Sequence, residues 1–329
     1  MDKYLVIGSN SFSGSHYVNM LIEKDCECFA ISRSKELNDV FCPYKWTNKK
    51  NRPLFKQLDI NKNTDEIVKL IKKNKINHII NFAAQSMVAQ SWEYPEHWYQ
   101  TNLVGQTYLL NKLKKFDFIK KYIHITTPEV YGSTSGWIKE SFSYNPTTPY
   151  AISRAALDMH LKALFEIYKF PVIFTRAANV YGPGQPLYRI IPRALYSARA
   201  GENLMLDGGG KSIRSFIHIK DVTLATFKIM LHGKIGSCYH ISTDELITIR
   251  DLVYKIANLT NVSFDTLVKT SPERIGKDQA YMLDSSKLRS DLNWKPKIDL
   301  DNGLADTLLW LDQNIKELKY QAKTYEHKK

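Results

Sequence analysis

Over the first half of the chain, short apolar runs alternate with longer segments in which apolar positions recur at helical spacing. Tyr4-Leu5-Val6-Ile7, Cys28-Phe29-Ala30-Ile31, Phe55-Lys56-Gln57-Leu58, His78-Ile79-Ile80-Asn81-Phe82, Tyr122-Ile123-His124-Ile125 and Val172-Ile173-Phe174-Thr175 read as strands. Helices are predicted through 18–22 and over 64–73, 96–115 and 150–168 between them. Strands that are apolar throughout are buried on both faces, so this alternation predicts a parallel sheet covered by helices on each side. Beyond Arg176 the rhythm changes. Gly182-Pro183-Gly184-Gln185-Pro186 and Asp207-Gly208-Gly209-Gly210 are turn-rich and separate smaller elements. Cys238-Tyr239-His240-Ile241 is a further short strand, with a helix from about 249.

Composition narrows the class without choosing a function. The 329 residues are 43% hydrophobic and 24% charged, ordinary for a globular protein, and no apolar run approaches the length of a membrane span. The amino terminus enters a strand directly, so no signal peptide is expected. Cys26, Cys28, Cys42 and Cys238 form no paired motif, which fits buried thiols in a reducing, cytoplasmic compartment. A net charge of +13 raises nucleic acid as a partner, yet the lysines are scattered over outer helix faces (Lys62, Lys69, Lys72, Lys73) with no basic–aromatic platform. Neither nucleic acid nor membrane is expected as a partner. The polar end, 323–329, is expected to fray.

The chemistry begins at the first strand–helix junction, Gly8-Ser9-Asn10-Ser11-Phe12-Ser13-Gly14. Gly8, Ser11, Phe12 and Gly14 are read as phosphate-cradle positions, because glycines let cofactor phosphates approach backbone donors at a helix start. Ser11 stands where the usual spacing has a glycine. After the second strand, Ser32 and Arg33 replace the acid that commonly holds ribose hydroxyls; a guanidinium suits a 2′-phosphate, so NADP is expected ahead of NAD. Asp59 and Ile60 are expected beside the adenine, and Ala83 and Ala84 beneath the pyrophosphate. The expected fold class is therefore α/β: a Rossmann-type doubly wound parallel sheet with a smaller α/β carboxyl-terminal substrate lobe. Residues 1–176 would form the dinucleotide-binding domain, also receiving the strand and helix near 237–259. Residues 177–329 would form the interleaved substrate-binding lobe.

Two further segments carry the reactive groups. Thr127-Pro128-Glu129-Val130-Tyr131-Gly132 follows the strand at 122–125, which places a hydroxyl and a carboxylate at a strand's carboxyl end. Tyr150-Ala151-Ile152-Ser153-Arg154 opens a helix with a phenol and, one turn later, a permanent cation. A nearby positive charge lowers a phenol's pKa toward the range where it works as a base.

With these pieces placed, the chain resembles the extended short-chain dehydrogenase/reductase family, specifically its nucleotide-sugar 4,6-dehydratases. The likeness runs through Asn81-Phe82-Ala83-Ala84-Gln85-Ser86, Thr101-Asn102, 127–132, Pro149-Tyr150, Asn179-Val180-Tyr181-Gly182-Pro183, Arg214-Ser215-Phe216-Ile217-His218 and Arg274-Ile275-Gly276. The resemblance implies an internal redox dehydration of a nucleoside-diphosphate sugar. Tyr150 would take the C4 hydroxyl proton, Glu129 would remove the C5 proton as water leaves C6, and Thr127 would hold the C4 oxygen. Arg154 stands where the family has lysine, an exchange that alters reach and geometry. Pro128 stands where glucose-type members carry an aspartate and mannose-type members a serine. By the same likeness, Asn102, Tyr150 and Arg154 would contact the cofactor, and Gln85, Ser86, Asn179, Arg214 and Arg274 the substrate. Asp278 and Tyr281 keep family spacing, while Gln279-Ala280 replaces a basic pair. The resemblance also implies a homodimer built from the helices at 96–115 and 150–168, with Leu157, Leu161, Leu164 and Phe165 as an apolar stripe that an intramolecular core would use equally well. His218, Trp92, Trp98 and Trp294 are read as packing. A nucleotide-sugar epimerase, 4-reductase or decarboxylase of the same family, and a non-catalytic cofactor-binding regulator, are the alternatives; nucleotide base and sugar are not specified.

Overall fold

A computed structural model describes residues 2–134, 136–272 and 282–328 of the chain. In chain order the strands are β1 (Lys3–Ile7), β2 (Glu27–Ser32), β3 (Leu54–Gln57), β4 (His78–Asn81), β5 (Lys121–Ile125), β6 (Trp137–Ile138), β7 (Val172–Ala177), β8 (Asn179–Tyr181), β9 (Leu204–Asp207), β10 (Ile213–Arg214), β11 (Phe216–His218) and β12 (Cys238–Ile241). Seven of them form one parallel sheet in the order β12-β7-β5-β4-β1-β2-β3. The order runs outward in both directions from β1 and β4, whose Ile7 and Asn81 lie side by side. Ligands of doubly wound sheets sit outside the carboxyl ends at that reversal. The α/β expectation holds.

Helices cover both faces because the strands are apolar on both. On one face, α1 (Phe12–Glu23) buries Tyr17, Val18, Leu21 and Ile22 beside Val222, Ala225 and Ile229 of the helix Ile219–His232. On the other, α2 (Thr64–Asn74) contributes Ile67, Leu70 and Ile71. The sequence expects one helix over 96–115; the chain instead forms α3 (Pro95–Tyr99), a π-helical turn Gln100–Val104, and α4 (Gly105–Leu113). Helix α5 (Pro149–Tyr168) completes this face with Leu157, Leu161 and Leu164. The stripe considered for dimerisation is thus consumed by the protomer's own core. Trp98, Trp294 and His218 are buried, and Trp92 is 53% exposed.

The second lobe gathers α6 (Ile190–Ala200), α8 (Ile249–Thr260) and α11 (Leu300–Leu318) around Leu195, Leu252, Ile256, Leu304 and Leu311. β12 returns to the sheet edge through Cys238↔Phe174 and Ile241↔Ala177 pairing. The helix expected to accompany it, α8, packs in the second lobe instead; α7 (Ile219–His232) takes the place on the sheet. The amphipathic pattern says that a helix buries one face, not which neighbour it meets.

One correction bears on the site. Residues 321–328 are not frayed: odd positions are half-buried and even positions exposed, with His327 stacked on Tyr94 and Trp98. Local polarity predicted fraying, but contacts from four separate segments hold the tail down.

Candidate active site

The first turn after β1 is built for close backbone approach. Gly8 has φ of +80°, and a Cβ there would come within 2.6 Å of the Ala83 nitrogen. A Cβ on Gly14 would meet the Gly8 carbonyl at 2.4 Å. Ser11, where glycine was expected, caps α1: its Oγ accepts from Gly14 N at 3.1 Å and donates to the Gly8 carbonyl at 2.8 Å. The hydroxyl therefore fixes the loop that glycine would leave open. Phe12 begins α1, whose first amides have no intrahelical partner and face an anion naturally.

Arg33 follows β2, and its Nη1 donates to the Lys328 carbonyl at 3.1 Å. Asn10 ties the Gly-rich loop to the stretch beyond Ser32, donating to the Ser34 carbonyl at 3.1 Å and the Lys35 carbonyl at 2.7 Å. Asp59 organises the turn before α2, its carboxylate accepting from Asn61 N at 2.8 Å. The Ile60 side chain belongs to the core beneath α2 and α4, not to the cleft, because the turn points it inward.

After β4, Ala83, Ala84 and Gln85 are held by a buried amide network. Asn81 donates to Gln106 and to the Tyr122 hydroxyl, both at 2.6 Å, and accepts from Ala83 N at 3.0 Å. Asn102 lies in the π-helical turn and accepts from Gln85 N at 2.7 Å while donating to the Gln85 carbonyl and to Ser153. These bonds make Asn102 a positioning residue for Gln85 at the floor of the cleft. π-turns recur at functional sites, and this one supplies the register that aims Asn102 at the floor. Gln85 is buried and Ser86 exposed beyond it.

The reactive groups converge. Thr127 is extended (φ −144°, ψ 147°) and caps a short turn, Pro128–Tyr131, that presents Glu129. Pro128 occupies the first position of that turn, where its fixed φ is favourable and its missing N–H costs nothing. Thr148 caps α5 through Ala151 N at 3.2 Å, placing Tyr150 in the first turn. Tyr150 is 8% exposed; burial pushes its phenol up, the Glu129 charge adds to that, and Arg154, Thr127 and Arg189 oppose it. Thr127 acts on the phenol by hydrogen bonding and Glu129 by its charge. Arg154 is 3% exposed and donates through Nη2 to the Ile125 carbonyl; its Nε and Nη1 are buried with no hydrogen-bond partner among the described residues. Unspent buried donors on a cation fit a hydroxyl-rich ligand, and a dinucleotide fits the Gly8–Ala83 cradle.

On the substrate side, β8 pairs with β11 and sets Phe216 against Asn179, whose Nδ2 donates to the Ser215 carbonyl at 3.1 Å. Arg214 precedes that residue on β10, its Nη1 on the Ile213 carbonyl at 2.8 Å. Arg274, with Asp278, Gln279, Ala280 and Tyr281, lies outside the described residues. Arg189, at the start of α6, is a cation that sequence reading missed; its charge reaches Tyr150 across the cleft. Its only sequence signal is its place directly after the 182–186 turn.

Beneath the site, Arg176 and Asp158 are completely buried and paired at 2.9 Å, with His124 Nε2 3.2 Å from the same carboxylate. Burial alone would raise Asp158, but hydrogen bonding from His124 and the Arg176 charge hold it below the usual carboxylate range. Arg176 also donates to the Tyr131 hydroxyl and to the Ser141 carbonyl. The turn bearing Glu129 is thereby anchored to β7.

This sheet, cradle and Thr–Glu–Tyr cluster define an extended short-chain dehydrogenase/reductase of the nucleotide-sugar type. Residues 5–307 match the GDP-mannose 4,6 dehydratase family model, and the chain belongs to that family. It is 30% identical to the mouse dTDP-D-glucose 4,6-dehydratase over 331 residues, covering 98% of this chain and 92% of the relative. It is 32% identical over 325 residues to the trifunctional UDP-glucose 4,6-dehydratase/UDP-4-keto-6-deoxy-D-glucose 3,5-epimerase/UDP-4-keto-L-rhamnose-reductase of Arabidopsis thaliana. That match covers 94% of this chain, which spans about half (47%) of the relative's length. Among solved structures, the Streptomyces venezuelae dTDP-glucose 4,6-dehydratase with NAD bound superposes with a TM-score of 0.88 at 28% identity, covering 96% and 98% of the two chains. The Bacillus anthracis dTDP-glucose 4,6-dehydratase in complex with NAD gives 0.86 at 29% identity, covering 97% and 100%.

Proposed function

We propose that the chain is a nucleotide-sugar 4,6-dehydratase, converting a nucleoside-diphosphate hexose to its 4-keto-6-deoxy form with net loss of water. The observation that carries this reading is a buried Tyr150 phenol that Thr127 hydrogen-bonds and that the charges of Glu129 and Arg154 act on in opposite directions, at the carboxyl edge of the sheet. Gly8, Ser11, Phe12, Gly14, Arg33 and Arg154 would hold a nicotinamide dinucleotide, which would supply the hydride acceptor and later the donor. Tyr150, ionised, takes the C4 hydroxyl proton while Thr127 holds that oxygen. The 4-ketone acidifies the C5 proton, which Glu129 removes as the C6 hydroxyl departs. With Pro128 unable to donate, Glu129 hands the proton it has gained to that leaving group. Asn179, Arg214 and Arg274 hold the diphosphate, and Gln85 and Ser86 the sugar.

Incubating the protein with a panel of sugar nucleotides and weighing the products tests the proposal. Loss of one water from one of them, abolished in Tyr150→Phe, is expected; gain of two hydrogens, loss of carbon dioxide or an unchanged mass points to reductase, decarboxylase or epimerase.

Arg33 supports NADP as the dinucleotide, whereas the solved relatives carry NAD. Arg33→Ala should weaken NADP more than NAD, and equal weakening removes the argument. A homodimer is proposed through the exposed apolar residues Val104, Tyr108, Ile152 and Met159 of the α4 and α5 face. Tyr108→Glu should then halve the mass seen by light scattering. A reducing, cytoplasmic location is proposed from the unpaired cysteines, three of them buried; a mass 2 Da low on the purified chain, marking a disulfide, would argue against it. Among the described residues no helix is long and apolar enough to cross a membrane.

A further inference from the structure

The segment that follows α11 lies over the carboxyl edge of the sheet. Lys323 pairs with Glu202 and sits 4.7 Å over the Tyr196 ring, so the segment departs from the second lobe. Tyr325 meets Tyr188 edge-on at 5.5 Å and donates to Gln85 Oε1 at 3.4 Å. The His327 ring stacks on Trp98 at 5.0 Å and on Tyr94 at 5.3 Å, with its Nε2 2.8 Å from His97 Nδ1. Finally, the Lys328 carbonyl accepts from Gln85 Nε2 at 2.7 Å and from Arg33 Nη1 at 3.1 Å.

The last two bonds fix where this segment runs. Arg33 stands after β2 and Gln85 after β4, and in the sheet those strands flank β1. One carbonyl bonded to both therefore bridges the cleft above the Gly8 loop, where a dinucleotide's pyrophosphate would pass. The Arg33 guanidinium, which would hold the 2′-phosphate, is turned to a peptide oxygen. Tyr325 also lies near the charges of Arg33 and Arg189, two cations suited to anionic ligands. Peptide and dinucleotide compete for the same donors and the same volume.

We propose that residues 321–328 form a self-inhibitory strap that occupies the dinucleotide cleft and must leave before cofactor binds. This rests on the reading of the cleft given under Proposed function. The strap is held at separated points by an ion pair, ring stacking and four hydrogen bonds, each individually modest, so release is reversible. A strap docked in about nine of ten molecules would weaken the apparent dinucleotide affinity about tenfold.

The test uses the full chain carrying Tyr325→Ala and His327→Ala together, neither residue being part of the catalytic cluster. Titration with NADP and NAD should show the variant binding about tenfold more tightly than the unsubstituted chain. In the unsubstituted chain, trypsin cleavage after Lys323 should be slow alone and faster with saturating dinucleotide, since displacement exposes the strap. Equal or weaker binding by the variant, or cleavage that dinucleotide slows, overturns the strap and makes the segment a lid that closes over its ligand. If neither chain binds either dinucleotide, the cleft reading itself fails and the strap with it.

Discussion

Residue by residue, the departures from the family pattern have local physical explanations. Ser11 replaces a glycine and repays the lost freedom with a cap on α1. Pro128 starts the turn that aims Glu129, so the position traded a proton donor for backbone geometry. Arg154 keeps its charge but spends one donor on the Ile125 carbonyl. Its electrostatic role is testable. Tyr150 is raised by burial and by Glu129 and lowered by Arg154, and it acts as a base only when ionised. Removing the cation in Arg154→Ala leaves the phenol higher still, so the acid limb of kcat against pH should move up on the order of one unit. Arg154→Lys should move it back. Identical profiles in all three proteins would show that Arg154 only packs.

Elements explain why the cluster is held so firmly. The turn carrying Glu129 is a single 3-10 turn, too short to hold itself in place. Tyr131, one residue past Val130, is clamped instead by Arg176 and by His240 Nε2 at 2.8 Å. Arg176 has its own partner in Asp158, and neither touches solvent. Replacing Arg176 by Met would leave the buried Asp158 without its permanent cation, with the His124 ring still beside it. Urea unfolding should then show a loss of about 3–5 kcal/mol, and Asp158→Asn added to it should recover part. A change below 1 kcal/mol would mean that the pair contributes little. None of this was legible in the sequence. Arg176 sits in a strand whose neighbours are apolar, and its partner Asp158 is 18 positions away on a helix. The strands and the Gly8 turn were legible because period and glycine spacing are local signals. The π-turn at 100–104 was not, since one inserted residue leaves the apolar periodicity almost intact.

For the molecule as a whole, buried histidines set an acid limit on stability. Burial lowers His16 to about 4, against the favourable bond of its Nε2 to the Pro183 carbonyl at 2.8 Å. Burial and then the Arg176 charge lower His240 to about 3. Both groups stay neutral in the folded chain while the unfolded chain takes up protons below its ordinary value of 6.5. Their contribution is therefore complete above that value and is lost as pH falls toward the folded values, at up to ~1.4 kcal/mol per unit for each. The urea midpoint should drop between pH 7.5 and pH 5; a flat midpoint would show that these rings take up protons without unfolding the protein.

Local sequence determined the sheet, the glycine turn and the residue types of a sugar-nucleotide active site, because strand period, turn chemistry and helix starts depend on a few neighbouring residues. Tertiary structure alone decided what lies across that site. It brought Arg189 to face Tyr150, spent Asn102 on the floor beneath Gln85, moved α8 to the far lobe and laid residues 321–328 over Arg33. Each of these joins positions that are distant along the chain, and the stacking and hydrogen bonds that hold them exist only once the fold has brought both partners together.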